Sequence, residues 1–227
     1  MCGRYVIARA TADLLPSLLD GLGPLPENYN VAPTTRVPVV RRRHGGRELV
    51  AARWGMVPSW YPDLKKRPQP INARIETVAT NGMFRRPFAR ARCIVPAQGY
   101  YEWVVTPTGK EPHYVHHPEG ALAMAGVTSA WPDPTKDPDD PDRWVLSVSI
   151  ITRDAHVAPG EVHDRMPALL APDSYDDWLS DGLDAPELLQ LLDRDSFELA
   201  HDLVQHEVSR AANSVRNDGP ELIEPVA

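Results

Sequence analysis

The chain has 227 residues, of which 42% are hydrophobic and 24% charged, with a formal net charge of −7 at pH 7. These values are typical of a soluble globular protein. The sequence contains no run of about 18 apolar residues, which a membrane-spanning helix would need. The start of the chain lacks the apolar run and the cleavage site of a signal peptide, and its two cysteines cannot form a disulfide framework. We therefore expect a cytoplasmic protein, nucleoid-associated in a bacterium, that does not bind membranes.

The 24 prolines predict fixed turns and short strands rather than a helical bundle. In chain order, the pattern predicts a short helix over 11–21 and then paired strands over 36–41 and 48–57 around a His-Gly-Gly turn. Further elements are predicted as strands at 92–97, 100–105, 113–117, 121–127 and 144–152, a polar, proline-rich exposed loop at 131–142, and helices near 174–179 and 185–192.

These elements predict an α+β fold. Asp184 followed by Pro186 is a typical helix start, which supports the last predicted helix. No internal repeat is present, and no linker separates two hydrophobic regions. We therefore expect a single domain over 1–227, and a monomer.

The charge is distributed unevenly along the chain. Between 36 and 92 there are 14 Lys and Arg residues against three Asp and Glu, whereas 93–227 holds eight against 25. Binding to phosphates requires one basic face, not a basic protein, so the segment 36–92 is compatible with nucleic-acid binding. A solvated basic surface without a ligand would explain the same charge.

A cysteine directly follows the initiator methionine. If Met1 is removed, Cys2 carries a free amine with a pKa of about 7.7–8.0 beside a thiol with a pKa near 8.5. Such a 1,2-aminothiol has two natural reactions. The thiol can attack a carbonyl with the amine as base, or the amine can form an imine with an aldehyde that the thiol closes to a thiazolidine. Alternatively, Cys2 is only a small residue at a strand start.

Several motifs occur in a fixed order along the chain, beginning with MCGRY at 1–5. The others are NYNVAPT at 28–34, RWGMVPSW at 53–60, INARIET at 71–77, GYYEW at 99–103, HDRMP at 163–167 and NDGPEL at 217–222. Together they resemble the SRAP family, the SOS response-associated peptidases, over nearly the whole chain. The resemblance implies a curved, barrel-like sheet with short flanking helices. It also implies covalent capture of abasic sites in single-stranded DNA, a function in DNA damage and repair.

The resemblance also implies roles for four residues. Cys2 would form the crosslink, and Asn72 would orient its amine, since a neutral amide both donates and accepts. Glu102 would act as the acid and base that opens the sugar and reverses the crosslink, and burial beside aromatics would raise its pKa. His163 would be a second proton donor. Without the motifs, each of the last three would be an ordinary cap, surface or polar residue.

A DNA-binding face is expected around these residues. Arg4, Arg74 and Arg165 each lie within two residues of a proposed catalytic residue and could clamp phosphates. Candidate groups that stack on bases, wedge between them or line the channel are Trp60, Met83, Phe84 and Pro33. Trp54 and Trp103 are instead predicted to lie in the core. Junctions between single and double strands are a further expected target.

No cofactor and no metal are expected. Histidines at 113, 116, 117, 201 and 206 lack a supporting cluster of cysteines or carboxylates at ligand spacing. The alternation around the first three predicts an exposed hairpin. Cys93 is predicted to be a buried strand residue.

Other functions share the same start of the chain. An N-terminal-cysteine hydrolase, either a class II glutamine amidotransferase or an autopeptidase, would use Cys2 as a hydrolytic nucleophile. The later signature of the amidotransferases is missing from the sequence, and an autopeptidase would have only Met1 to remove. A non-covalent single-strand binder whose adduct is incidental is a third possibility. Loss of Asn72 or Glu102 would then leave affinity and adduct yield unchanged.

Overall fold

The computed structural model describes residues 2–64 and 68–226, in which short helices flank two β-sheets. The strands are β1 (Tyr5–Ile7), β2 (Asn28–Val31), β3 (Arg36–Arg43), β4 (Gly46–Trp54), β5 (Asn72–Arg74), β6 (Arg92–Ala97), β7 (Gly99–Thr106), β8 (Gly109–His116), β9 (Leu122–Pro132), β10 (Trp144–Asp154), β11 (Arg165–Pro167) and β12 (Val204–Glu207). The α-helices are α1 (Pro16–Leu19), α2 (Ile75–Val78), α3 (Arg85–Arg90), α4 (Val157–Val162), α5 (Tyr175–Leu179) and α6 (Ala185–Ala200).

One sheet closes into a barrel. Strands β4, β3, β6, β9 and β10 pair in that order, and β10 then pairs with β4 to complete the ring. The β10–β4 pairing is parallel and the others are antiparallel. The far half of β10 extends beyond this ring and pairs with β5 and β11. The predicted α+β fold with a mostly antiparallel, barrel-like sheet is therefore confirmed.

The second sheet has the order β12-β8-β7-β1-β2. Its inner face packs on the barrel through one apolar cluster, which includes Tyr5 and Tyr100 from this sheet and Trp54 and Met124 from the barrel. The Tyr5 and Trp54 rings meet edge to face at 5.3 Å. Large buried aromatics of this kind typically cost about 3–5 kcal/mol when truncated to alanine. This shared core holds β1 and β7 in fixed positions beside the barrel.

The predicted hairpin around the His-Gly-Gly turn is confirmed. Strands β3 and β4 pair from Arg36 with Arg53 to Arg43 with Gly46, so His44 and Gly45 form a two-residue turn. Both turn residues have a positive φ, as a type I′ turn requires. The strands predicted between 92 and 152 are also found.

Four predicted elements differ from the structure. The strand predicted over 48–57 ends at Trp54, because Gly55 adopts a positive φ that breaks the strand. The helix predicted over 11–21 spans only Pro16–Leu19, because the ring of Pro16 tolerates only the first turn of a helix. The predicted exposed loop 131–142 is wrong at its start, since Trp131 continues β9, is 2% exposed and donates from its indole nitrogen to the Tyr61 carbonyl at 2.6 Å.

The last helix is longer than predicted. It begins as expected, with Asp184 and Glu187 forming a capping box, but it continues to Ala200 instead of ending near 192. Asp195 and Ser196 interrupt the apolar pattern and yet are buried, because they bond to the backbone at Ala171 and Leu169. None of the helices among the described residues is long and apolar enough to cross a membrane.

Candidate functional site

Cys2 lies in the apolar core between the two sheets, separated from β1 by Gly3 and Arg4. Its side chain is fully buried in this chain, which begins at Met1. Burial raises the pKa of the Cys2 thiol far above its ordinary value, and the negative charge of Glu102 raises it further. The thiol is therefore neutral here, and Glu102 lies close enough to act on it electrostatically.

Asn72 is brought to Cys2 by the short strand β5. This strand pairs in parallel with β10, where Asn72 lies opposite Ile150. The Asn72 Nδ2 donates to the Cys2 carbonyl at 2.9 Å. Its Oδ1 is buried and accepts no hydrogen bond from any described residue. The amide thus has one anchored end and one acceptor available beside Cys2.

Glu102 reaches the site from β7 and is 3% exposed. Burial raises the pKa of its carboxyl to about 7, and the negative charge of Asp164 also raises it. Tyr100 lies on the same face of β7, and across the pairing to β1 it faces Tyr5. Burial raises the pKa of Tyr100, and the neighbouring Cys2 and Glu102 raise it further, so the three groups lie within electrostatic reach of one another.

His163 follows α4 and is half-buried. Its Nδ1 lies 2.9 Å from the backbone nitrogen of Arg165, and this N–H donor fits a neutral ring whose proton is on Nε2. The nearby carboxylate of Asp164 fits the opposite tautomer, with the proton on Nδ1. Burial lowers the pKa of His163, which also favours the neutral ring. Asp164 Oδ1 lies 2.7 Å from the same Nδ1 and can form an ion pair only when the ring is protonated.

These positions bring the four predicted catalytic residues together around Cys2. Asn72 bonds to Cys2, Glu102 acts on Cys2 through space, and the His163–Asp164 pair is near enough for Asp164 to act on Glu102. A carboxyl with a pKa near neutrality and a neutral imidazole can both donate and accept protons at physiological pH. Their catalytic roles stay predictions.

The three predicted phosphate-binding arginines have different surroundings. Arg74 is exposed at the end of β5 and forms no ion pair with another described residue. Arg4 is half-buried, donates to Asn30 Oδ1 at 2.7 Å and lies over the Trp103 ring at 5.6 Å. Trp103 is only partly buried, so its predicted core position holds in part.

Arg165 is almost fully enclosed. Its Nη1 bonds to Glu76 Oε1 and to Asp154 Oδ1, both at 2.6 Å, and its Nη2 bonds to the Thr152 carbonyl at 2.7 Å. Arg165 is 8% exposed. The partners of this arginine in the structure are carboxylates, and a role in binding phosphate stays a prediction.

The residues predicted to contact bases differ in how far their side chains are exposed. Trp60 is 60% exposed, with its ring edge to face on Tyr61 at 4.8 Å, and Met83 is half-buried. Pro33 is half-buried in the turn after β2. Phe84 is 7% exposed within the core cluster, so stacking on a base would require it to leave the core. Trp60 is the member of this set that can stack without rearrangement.

Sequence reasoning assigned no role to some residues that shape the site. Tyr5 and Tyr100 face the thiol, and neither hydroxyl bonds to a described residue. Asn30 holds Arg4, and its Nδ2 donates to the carbonyls of Ser214 and Asn217, both at 2.9 Å. Tyr5, Asn30 and Tyr100 all lie within the motifs that carry the family resemblance. Their place in those motifs was the feature of the sequence that could have indicated a role in the site.

Cys93 and the remaining histidines are not among the four residues of this site, although His113 on β8 lies directly opposite Glu102 in the β7–β8 pairing. Cys93 is fully buried in β6, as predicted. The predicted exposed position is wrong for His113, His116 and His117, which are all half-buried. Strand β12 pairs along the edge of β8, and the His116 ring stacks on Tyr114 at 4.9 Å and meets His206 at 5.3 Å. Within the described ranges, no three His, Cys, Asp or Glu side chains form a group that could hold a metal ion.

The chain is similar to several known proteins over its whole length. It is 33% identical over 230 residues to the abasic site processing protein YoqW of Bacillus subtilis, with 99% of each chain covered. It is 31% identical over 234 residues to the abasic site processing protein YedK of Escherichia coli, with both chains fully covered. The abasic site processing protein HMCES of Gallus gallus is 30% identical over 234 residues, which cover 88% of this chain and 66% of that protein.

Solved structures share the fold. The crystal structure of a protein from Bacteroides thetaiotaomicron superposes with a TM-score of 0.78 at 24% identity, and the match covers both chains completely. The profile of the family described as SOS response associated peptidase (SRAP) matches residues 1–215. A match over most of the chain, together with full-length relatives at 31–33% identity, shows that this protein belongs to the SRAP family.

Proposed function

We propose that this protein senses abasic sites in single-stranded DNA and captures them as a covalent crosslink to Cys2, which protects the site from strand cleavage. The observation that carries this proposal is the placement of the Asn72 amide and the Glu102 carboxyl against Cys2. The names of the YoqW, YedK and HMCES relatives, all abasic site processing proteins, support the substrate.

The proposed chemistry uses both groups of an N-terminal cysteine. Removal of Met1, which lies outside the described residues, gives Cys2 a free amine. This amine adds to the C1′ aldehyde of the ring-opened abasic sugar, and the carbonyl oxygen leaves as water to give an imine. The thiol sulfur then bonds to the imine carbon while its proton goes to the nitrogen, which closes a thiazolidine. The product equals protein plus DNA less one water.

The neighbouring residues supply protons and orientation for these steps. Glu102, with its pKa raised to about 7 by burial, can protonate the sugar ring oxygen on opening and accept a proton at the imine stage. His163 offers an Nε2–H as a second donor. Asn72 accepts from the Cys2 amine through its buried Oδ1. The same groups run the steps backwards when the crosslink reverses, which gives the protein a lyase-like character.

The enclosure of Cys2 supports a long-lived product. A buried ring is shielded from the water that would hydrolyse the imine. Because Cys2 is fully buried in the chain that begins at Met1, the proposal requires that removal of Met1 opens a path to the sugar. Arg74 and Arg4 are proposed to bind the phosphates beside the lesion, and Trp60 is proposed to stack on an adjacent base.

The test is the intact mass of the full chain after incubation with a single-stranded oligonucleotide that carries one abasic site. We expect processed protein without Met1 and a heat-stable adduct whose mass is that of protein plus DNA less one water. Cys2→Ala should abolish the adduct, and Cys2→Ser should not give the same stable ring.

Cys93→Ala is the matched control, because Cys93 is equally buried but lies on β6, outside the motifs that carry the proposed catalytic residues. It should crosslink like the wild type. Retention of Met1 in protein from cells, or an adduct that survives in Cys2→Ala, would overturn the proposal. Glutamine hydrolysis in place of the adduct would support the amidotransferase alternative.

A further inference from the structure

Two grooves on the outer surface of the barrel form one continuous depression. The first has a volume of about 520 Å³ and runs from Trp60 past α3, and the second has a volume of about 1190 Å³ and runs to the β3–β4 turn and Trp144. They share Arg90, Ala91, Thr128 and Ala130 in their walls. We call the joined depression the arginine groove, defined by Arg42, Arg43, Arg85, Arg86 and Arg90 with Trp60 at one end and Trp144 at the other.

The groove is strongly positive. Of the described residues in its walls, seven are arginine and Asp181 alone is acidic. Two of these arginines already bond to groups of the protein itself. Arg41 pairs with Glu48 at 2.6 Å, and Arg92 is 6% exposed and bonds to the backbone carbonyls of Trp178 and Phe88.

The five arginines that define the groove are all exposed, and none forms an ion pair with another described residue. A protein surface normally intersperses charges of both signs, so a groove of unpaired arginines indicates an anionic ligand. All five belong to the basic segment 36–92 that the sequence analysis singled out.

Exposed aromatic rings stand at both ends of the groove. Trp60 is 60% exposed and Trp144 is 58% exposed, and they are the two most exposed aromatic side chains among the described residues. Arginines that follow a backbone, combined with flat rings on which bases can stack, are the features that bind single-stranded nucleic acid. A duplex keeps its bases stacked internally and would leave both rings unused.

The Trp60 end of the groove leads to the candidate active site. The segment that ends in Trp60 and Tyr61 runs beside the segment that enters β5, because Met56 N–H donates to the Pro70 carbonyl and Tyr61 Oη donates to the Pro68 carbonyl, both at 2.9 Å. Asn72 follows Pro70 by two residues. The Trp60 end of the groove is therefore connected by hydrogen bonds to the segment that leads into β5 and Asn72.

We propose that the arginine groove binds the unpaired strand on one side of the abasic site, so that the protein holds a long single-stranded flank as well as the lesion. This inference rests on the proposed function, because it concerns the same DNA strand. The groove adds affinity and a requirement for unpaired DNA, while the reaction at Cys2 proceeds without it.

The test compares three single-stranded substrates with the full processed chain. One is a trinucleotide with a central abasic site, and the others extend it by about 12 nucleotides on the 5′ or the 3′ side, within the range that single-strand sites cover. We expect one extended strand to bind tighter than the trinucleotide, with a steeper dependence on salt. A duplex version of the same extension should bind less tightly than the unpaired one.

Arg43→Glu, Arg90→Glu and Trp144→Ala are the variants. Each charge reversal should weaken binding of the favoured extended strand about fivefold and reduce the slope of log K against log salt by about 0.7, the value for one phosphate contact. Trp144→Ala should weaken binding without changing the salt slope. Lys110→Glu is the matched control, since Lys110 is exposed on β8 in the other sheet, and it should change nothing.

The outcomes separate this inference from the function on which it rests. If wild-type protein forms no adduct with any substrate, the proposed function fails. If the adduct forms but neither extension raises affinity, or if Arg43→Glu and Arg90→Glu behave like Lys110→Glu, only the groove is overturned. Preference for the duplex extension would also overturn it. We also expect all three variants to crosslink the trinucleotide at the wild-type rate, because the reaction at Cys2 does not depend on the groove.

Discussion

The side-chain Nδ2 of Asn72 donates a 2.9 Å hydrogen bond to the backbone carbonyl of Cys2, while its Oδ1 is buried without a donor among the described residues. A buried acceptor left without a donor costs about 1–3 kcal/mol. An amine on Cys2 would supply that donor. The amide is thus positioned to fix the nitrogen that starts the proposed reaction.

Asn72→Ala is therefore expected to slow crosslink formation about tenfold, which corresponds to the loss of one hydrogen bond to the reacting amine. The measurement is a single-turnover time course with an abasic oligonucleotide, together with a melting curve. The melting temperature should change little relative to the rate, because Asn72 is only half-buried. An unchanged rate would contradict the role of the amide and would favour a non-covalent binder.

We expect the free energy of unfolding to depend on pH through Glu102. Burial raises its pKa from 4.5 to about 7 in the folded chain, so between these values unfolding releases a proton. Below pH 4.5 the carboxyl is protonated in both the folded and the unfolded state. As the pH rises from 4.5 to 7, the free energy of unfolding decreases, and the contribution of the neutral carboxyl is lost above pH 7. Above that pH the folded state carries a buried charge that costs on the order of 3 kcal/mol.

Glu102→Gln lacks this ionisation. The variant should therefore match the wild type near pH 4.5 and become increasingly more stable than it up to pH 7, with a constant difference above. Urea unfolding at several pH values measures this. Glu198→Gln, an exposed carboxyl on α6, is the control and should show no such trend. A difference that stays flat across this range would show that Glu102 does not titrate near neutrality.

His163 is expected to be neutral at pH 7 with its proton on Nε2. The backbone N–H of Arg165 points at Nδ1, and burial lowers the pKa of the ring. Nitrogen-15 NMR of the imidazole should report the Nε2–H tautomer. The charge of Asp164 raises the His163 pKa, so Asp164→Asn should lower it further. A neutral ring with its proton on Nδ1, the tautomer that the 2.7 Å contact with Asp164 Oδ1 fits, would make Nε2 an acceptor and contradict its proposed role as a donor.

The sequence predicted long strands well and very short ones poorly. Strands β3 and β4 carry clear apolar runs and a turn in which His44 and Gly45 adopt positive φ. Strands β1, β5 and β11 have three residues each, too few to show a period. Yet β5 and β11 are the strands that bring Asn72 and Arg165 to β10.

The candidate site shows the same limit at the level of side chains. Motif order was enough to choose Cys2, Asn72 and Glu102, which the fold brings together. Sequence proximity could not distinguish Arg74 from Arg165, because the carboxylates that enclose Arg165 come from α2 and from the end of β10. Contacts between distant segments decide whether a cation is available to a ligand.

Arg165 and Arg74 are consequently expected to respond differently to the same substitution. Arg165→Ala removes charge-assisted hydrogen bonds to Glu76 and Asp154, and should lower the free energy of unfolding by about 2 kcal/mol. The loss stays below the 3–5 kcal/mol or so of a fully buried pair, because both carboxylates are substantially exposed. Arg74→Ala should leave stability unchanged, since Arg74 is exposed and makes no ion pair with a described residue.

Two measurements separate these roles. Arg74→Ala should reduce the salt dependence of DNA binding by about 0.7 in the log–log slope, as expected for one lost phosphate contact. The stabilising effect of Arg165 should shrink as the pH falls, because Arg165 lowers the pKa of Glu76 and protonation of that carboxyl breaks the pair. If Arg165→Ala instead kept its stability and lost the salt slope, Arg165 would leave its carboxylates to bind phosphate.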